Sequence, residues 1–309
     1  MIRIEDYKQD DEVKILNLFK KVFKKDLSIE YWNWRFRDNL TNQTLIKLAW
    51  DDDKLVSHYA VCPIPMLSNG TNFHGALSMT TMTDPEYNGM GLFPQLAGQL
   101  FTELPKRKIE LVYGFPNKNS HYAFIKKLNW ENICSIFQFS ISNTERFNLL
   151  YEVNTINNIS QEHLSNILIN TKELCINRDI NFYNWRYKNN PINTYHYAEI
   201  ERYNIKHFII FKMFEVNNVK HIDIVELQIE DNIDLLSSFI FYINKTFKLN
   251  EKSMINIWMS IFNSQFLIFE KLGFIAQEPI TYLGYKSFNS INNLSEKNIH
   301  FTMGDSDVY

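Results

Sequence analysis

The residues best suited to chemistry lie between Gly75 and Phe101, in the string GALSMTTMTDPEYNGMGLFPQLAGQLF. Gly89 and Gly91 stand two apart, directly before Leu96, Ala97, Leu100, Phe101 and Leu104, which recur at helical spacing. Residues 76–83 read as a strand. Asp84-Pro85 ends it, because the residue before a proline is pushed out of the helical region. Pro94 fits a first helical turn, where its missing N–H would have no partner anyway. Glycines at a helix N-terminus leave backbone N–H groups uncovered, and the helix dipole favours negative charge there. A phosphate or pyrophosphate suits such a loop. On spacing alone, a plain turn before a helix explains the pattern equally well.

The elements that must position this loop can be read in chain order. Residues 2–5 form a short strand, and Asp10-Asp11 precede a helix carrying Ile15, Leu16, Phe19, Val22 and Phe23. The segment 27–39, LSIEYWNWRFRDN, reads as a second amphipathic helix with Trp32 and Trp34 partly buried. The functional alternative to that preferred reading is a wall of the acceptor site, with Arg35 or Arg37 facing an anionic group. Leu45–Trp50 and Leu55–Leu67 are strands, and Asn69-Gly70 is a hairpin turn into the strand that ends at Thr83. Ile109–Phe115 is a further strand. Asn119 or Ser120 caps a helix that runs to Leu128 and ends near Asn129, and Ile133–Ile141 is a long alternating strand.

The totals narrow the function class. A chain of 309 residues with 45% hydrophobic residues can build two ordinary domains with buried cores. A formal charge of −3 without a basic block argues against nucleic-acid binding. Cys62, Cys134 and Cys175 are widely spaced and suggest neither a metal pair nor a disulfide framework. No metal-ligand spacing occurs among the histidines. The charged N-terminus is unlike a signal peptide, and no apolar run is long enough to span a bilayer, so a cytoplasmic protein without membrane partners is expected.

The string PEYNGMGLF, residues 85–93, resembles the acyl-CoA loop of the GNAT acyltransferase superfamily, with Asn88 and Met90 where that family often carries cations. GFPNKNSHYAFIKKLNW is similar to the family's segment after its fifth strand, with Asn129-Trp130 in place of Gly-Phe, and Ile125 stands where the family's frequent catalytic tyrosine aligns. The resemblance covers most of residues 1–141. It implies acetyl-CoA or another acyl-CoA as co-substrate, held by Thr81, Met82, Thr83, Asn88, Gly89, Met90, Gly91, Leu92, Phe93 and Asn119. The pyrophosphate would lie on the amides of Gly89–Phe93, and the pantetheine would run along the strand edge at Thr81–Thr83 like an added strand. A backbone N–H near Met82 would stabilise the oxyanion. An attacking amine needs a base. His121 ranks first, ahead of His58, His74 and Asp84; His58 and His74 lie on strands and read as surface residues. Asn117 and Tyr122 complete the expected catalytic group, and Trp34, Arg35 and His58 the acceptor site.

An internal repeat extends the reading. YWNWRFRDNL at 31–40 matches FYNWRYKNNP at 182–191, with Trp34 and Trp185 151 residues apart. FIKKLNW at 124–130 matches IFEKLGF at 268–274, with Trp130 and Phe274 144 residues apart. Strand-like runs at Tyr195–Ile200, Lys206–Phe214 and Ile222–Ile229, a helix with Leu235, Leu236, Phe239, Ile240, Ile243 and Phe247, and a strand at Ile255–Met259 give the second half the same layout. Its loop, Glu230-Asp231-Asn232, has no glycine and two carboxylates, which would repel a pyrophosphate.

The expected fold is therefore α/β (α+β): two tandem GNAT-like domains, each a mixed, mostly antiparallel sheet flanked by helices. Residues 1–148 are the catalytic domain, and 149–309 a degenerate domain that completes the acceptor cleft. The boundary is expected in the polar stretch 142–170, near 145–155, and the polar tail after Ser287 is expected to be loosely held. Tandem chains of this kind resemble N-acyltransferases that modify a nucleotide-linked amino sugar, such as a dTDP-3-amino-3,6-dideoxyhexose, for surface polysaccharide (O-antigen) synthesis. The alternatives are a tRNA-dependent aminoacyl transferase of duplicated fold and a non-catalytic binding protein.

Overall fold

The computed structural model describes every residue except 143, 166–172, 290 and 292. Two compact units emerge. Unit 1 comprises residues 1–67, 71–134 and 282–294, and unit 2 comprises 68–70, 135–281 and 295–309. The start of the chain folds as β1 (Ile2–Asp6), α1 (Glu12–Phe23), α2 (Ile29–Trp32), β2 (Leu45–Asp51), β3 (Lys54–Ser68), β4 (Thr71–Thr83), α3 (Leu92–Glu103), β5 (Ile109–Gly114) and α4 (Lys118–Leu128). Then follow β6 (Glu131–Ile141), β7 (Asn154–Ile156), α5 (Gln161–Leu164), β8 (Cys175–Ile176), α6 (Ile180–Tyr183), β9 (His196–Arg202), β10 (Ile205–Val216), β11 (Val219–Gln228), α7 (Ile233–Phe247), β12 (Ile255–Trp258), α8 (Phe266–Leu272) and β13 (Ile275–Ser287).

In unit 1, β1 pairs antiparallel with β2, and β2 with β3. Asn69 (φ 50°) and Gly70 (φ 74°) both take the left-handed conformation that a two-residue hairpin requires, and so join β3 to β4. β4 runs parallel to β5, from His74 opposite Ile109 to Leu77 opposite Tyr113. The last residues of β13 lie antiparallel on β5, with Gly284 opposite Gly114. The helices cover this sheet by their apolar stripes: Leu96, Ala97 and Leu100 of α3 are buried among Val56, Tyr59 and Val112. Each fully buried leucine there contributes about 1.5–3 kcal/mol.

Unit 2 repeats the plan. β9, β10 and β11 are antiparallel neighbours, β11 runs parallel to β12 from Ile222 opposite Ile255 to Ile224 opposite Ile257, and β6 lies antiparallel on β12. Leu235, Leu236, Phe239, Ile240 and Ile243 form the buried face of α7.

The repeated NWR motif, in YWNWR and FYNWR, is a repeated local structure, although not the regular helix expected. A four-residue α-turn, capped by Ser28 in one copy and Asp179 in the other, passes into a π-helical turn at Asn33–Arg37 and at Asn184–Lys188. Each closes on a wide bond, Asp38 N–H to the Asn33 carbonyl (2.7 Å) and Asn189 N–H to the Asn184 carbonyl (2.8 Å). The tail also differs from expectation. Ile299, Phe301, Met303, Asp305 and Ser306 are buried, because Arg186 donates to the carbonyls of Gly304 (2.7 Å), Ser306 (3.2 Å) and Tyr309. Of the polar stretch 142–170, residues 143 and 166–170 lie outside the described residues.

Candidate active site

The loop between β4 and α3 has the geometry its glycines predict. Gly89 (φ 83°) and Gly91 (φ 72°) are both left-handed, and Gly91 is the N-cap of α3 with no side chain over the helix end. The first amides of a helix have no carbonyl of their own helix to bond, and Pro94 carries no N–H. Gly89, Gly91 and the start of α3 therefore present N–H groups, with the helix dipole behind them. The Met90 N–H reaches back to the Tyr87 carbonyl at 3.5 Å, and the Asn88 N–H to Pro85 at 3.3 Å. Asn88, Gly89, Met90 and Gly91 are exposed; Leu92 is anchored in the core, and the Phe93 ring packs on Tyr59 and Phe124. The loop is thus an exposed turn of two left-handed glycines before a helix end without a side-chain cap, a backbone arrangement suited to an anion.

The strand edge leading to it is also open. Pairing of β4 with β5 ends at Leu77 and Tyr113, while β4 continues to Thr83. Within that free stretch Thr80 has φ 51°, an outlier for a β-branched residue. The side chains of β3 hold the stretch: His58 Nδ1 lies 2.8 Å from the Thr80 carbonyl, and Ser57 Oγ donates to the Met82 carbonyl at 3.0 Å.

The candidate bases separate sharply. Asp84 is buried and caps the short turn after it by accepting from the Glu86 N–H, and it pairs with Lys21 (2.8 Å) and Lys54 (3.2 Å). Burial works against its charge, but Lys21, the Glu86 amide and Lys54 together hold its carboxyl below the usual range. That ion pairing makes it a poor base. His74 is exposed on β4, whereas His58 is fully buried. The reading of His58 as a surface residue that meets the acceptor therefore fails: its ring has no surface to offer, packed against Phe36 beneath the sheet. His121, on α4, stacks on Tyr282 at 3.9 Å and places Nε2 2.9 Å from Asn132 Oδ1. With Nε2–H donating to Asn132, Nδ1 keeps the lone pair.

The remaining residues fall into two groups. Asn117 is the cap of α4, in place of Asn119 or Ser120, because its Oδ1 accepts from the N–H of both (3.0 and 3.1 Å). Asn119 and Tyr122 are exposed on α4, and Ile125 packs against the core. Trp34 and Arg35 are 7% and 1% exposed, with the guanidinium 4.8 Å over the indole. As arranged they form core rather than an open wall, because the π-turn directs both inward. The signal missed in the sequence was Ser57, whose alternation on β3 marks it only as a buried position.

Unit 2 treats the corresponding place differently. The Asn232 side chain accepts from the N–H of Asp234 (2.8 Å) and Leu235 (3.2 Å), so the amides at the start of α7 are already taken. A cavity of about 440 Å³ beyond the ends of β11 and β12 is lined by Glu173, Glu230, Asp231 and Glu296 against the single lysine Lys297, an acidic balance that disfavours phosphate.

The family model described as "Acetyltransferase (GNAT) domain" matches residues 3–133. Over those residues the chain is similar to a GNAT acetyltransferase domain. A conserved protein from Enterococcus faecalis V583, titled a probable N-acyltransferase, superposes with a TM-score of 0.71 at 14% identity, covering 93% of this chain and 72% of that one. A GCN5-related N-acetyltransferase from Anabaena variabilis gives 0.69 at 13% identity, covering 94% and 73%. Saccharomyces cerevisiae N-myristoyltransferase with bound myristoyl-CoA gives 0.60 at 9% identity, covering 97% and 89%. At these identities the likeness is one of fold. No curated protein sequence matches the chain. The GNAT domain supports an acyl-CoA-dependent N-acyltransferase. Among the described residues, no helix is long and apolar enough to cross a membrane.

Burial gives His58 a pH signature. It pushes the imidazole down from 6.5 to about 4, although the Thr80 carbonyl pulls the other way. Between those values the unfolded chain binds more protons, so stability rises with pH there and is lost on acidification. Asp223 has the opposite sign: burial raises it from 3.8 to about 6 against Asn256 and Lys212, so its contribution falls as pH rises through that window. His58→Gln is expected to remove about 2 kcal/mol of the stability lost between about pH 7 and 4.5. Urea unfolding of both proteins at the two pH values measures this.

Proposed function

We propose that the chain transfers an acyl group from acyl-CoA to the amine of a nucleotide-linked amino sugar of the dTDP-3-amino-3,6-dideoxyhexose type. The observation that carries the donor half is the pair of left-handed glycines at the uncovered N-terminus of α3, beside a strand edge left open beyond Leu77. The acceptor half rests on the tandem layout, whose second copy closes its own anion site with Asn232. The amine attacks the thioester carbonyl directly: the C–N bond forms, the C–S bond breaks, and the base that takes the amine proton passes it to the departing sulfur, so that CoA leaves as the thiol. Holding amine and thioester in line supplies much of the acceleration.

His121 is the base in this reading, through Nδ1. His121→Asn should lower kcat by at least about tenfold. Unchanged turnover at saturating substrates would remove His121 from the mechanism. The reading as a whole is tested by a thermal-shift screen of acyl-CoAs with and without dTDP-amino sugars, since a ligand selective for the folded state raises its melting temperature. Stabilisation by CoA and by the nucleotide sugar is expected. A response to aminoacyl-tRNA alone would favour the tRNA-dependent class, and no response to any of them a non-catalytic protein.

A further inference from the structure

Within the open edge of β4, Thr80 is in the left-handed region at φ 51°. A β-branched residue holds that conformation only where its surroundings impose it, and such residues cluster at functional sites. Here the surroundings are two neighbouring side chains of β3, both fully buried. His58 Nδ1–H donates to the Thr80 carbonyl at 2.8 Å, and Ser57 Oγ donates to the Met82 carbonyl at 3.0 Å and lies 2.8 Å from Thr83 Oγ1. A trans peptide points its C=O and N–H in opposite directions, so holding the Thr80 carbonyl against His58 turns the Thr81 N–H away from β3, while Ser57 anchors the strand at the next residue. No β5 residue pairs with β4 beyond Leu77 to do this through the ladder.

We propose that His58 is a positioning residue for acyl transfer: it fixes the Thr80 carbonyl so that the N–H of the same peptide, that of Thr81, is aimed from the open edge at the developing oxyanion of the thioester. This rests on the acyl-CoA reading above. An amide held in place before the reaction spends nothing on reorientation as charge develops. His58 itself touches no substrate, and it stays clear of the diphosphate loop at Gly89–Gly91. Its loss should therefore act on turnover and leave CoA binding alone.

The test compares His58→Leu with His58→Gln in the full chain, because glutamine can still donate to the Thr80 carbonyl and leucine cannot. With acetyl-CoA and a dTDP-3-amino-3,6-dideoxyhexose, His58→Leu should lose at least about tenfold in kcat, less than the loss of about a hundredfold or more when an oxyanion donor is removed outright. KM for acetyl-CoA and Kd for CoA should change less than about twofold, and His58→Gln should recover most of kcat. Amide hydrogen exchange across residues 79–83, read by mass spectrometry, should speed up in His58→Leu only. A fall in CoA affinity matching the fall in kcat, or no rescue by glutamine, overturns the proposal. If the wild type transfers to no amine, the acyltransferase reading fails. Exchange still judges His58 in that case, and equal rates in wild type and His58→Leu overturn its hold on β4. Should His58→Leu not fold, Ser57→Ala must show the same loss confined to kcat and the same local exchange, or the proposal falls.

Discussion

Gly89→Val should raise KM for acetyl-CoA by at least about tenfold, with a smaller effect on kcat. The residue sits at φ 83°, and a β-carbon built there meets nothing within 4 Å, so the penalty is conformational rather than a clash. A left-handed backbone costs an ordinary residue roughly 1–2 kcal/mol, and a β-branched one more. The loop can shed that strain by leaving the left-handed region, which turns its N–H groups away from the diphosphate. A tenfold loss of binding corresponds to about 1.4 kcal/mol, so the strain alone is large enough. Gly98→Ala is the control. Gly98 lies in α3 with open space around it, and alanine there should stabilise the helix by up to about 1 kcal/mol without altering KM. Equal KM values for wild type and Gly89→Val would mean that the coenzyme does not use this loop.

Arg178→Met should destabilise unit 2 by about 3–5 kcal/mol. Arg178 is buried and donates from Nε to both oxygens of Glu226 (3.1 and 3.0 Å), and from Nη2 to Asp305 (2.7 Å) and Thr302 (3.3 Å). Replacing it leaves two carboxylates facing each other out of water, and releases the segment 302–306 that the guanidinium ties down. Burial already raises Glu226 despite Arg178, so without the cation its folded-state value climbs further. The unfolded chain then binds fewer protons across that widened window, and stability falls as pH rises. The deficit should be greater at pH 8 than at pH 5, and Glu226→Gln added to Arg178→Met should recover part of it. Calorimetry on the three proteins measures both effects, with a fall in melting temperature of about 10 °C for the single variant. A deficit that does not depend on pH would mean that packing, not charge, is what Arg178 supplies.

The local features of this protein were open to reading from the sequence because they depend on a few neighbouring residues. The hairpin at Asn69-Gly70, the two left-handed glycines before α3, the helix end at Asn129 and the missing cradle at 230–232 follow from φ preferences and capping chemistry within one turn of chain. The duplication was legible for the same reason, since each copy of the NWR motif makes the same capped π-turn from its own residues. What tertiary structure alone decided involves partners far apart in sequence. Arg186 meets Gly304 at a separation of 118 residues, which turns a polar tail into a buried strap. His58 meets Thr80 across 22 residues, so a histidine on a strand that reads as surface becomes the support of a strained β-strand. Trp34 and Arg35, aromatic and cationic as a ligand wall should be, were drawn inside by a helical turn too wide for the period assumed. Side-chain type shows what a residue can bond. Only the packed chain determines whether that bond faces solvent, a substrate or the protein's own backbone, because burial is a property of everything around a residue.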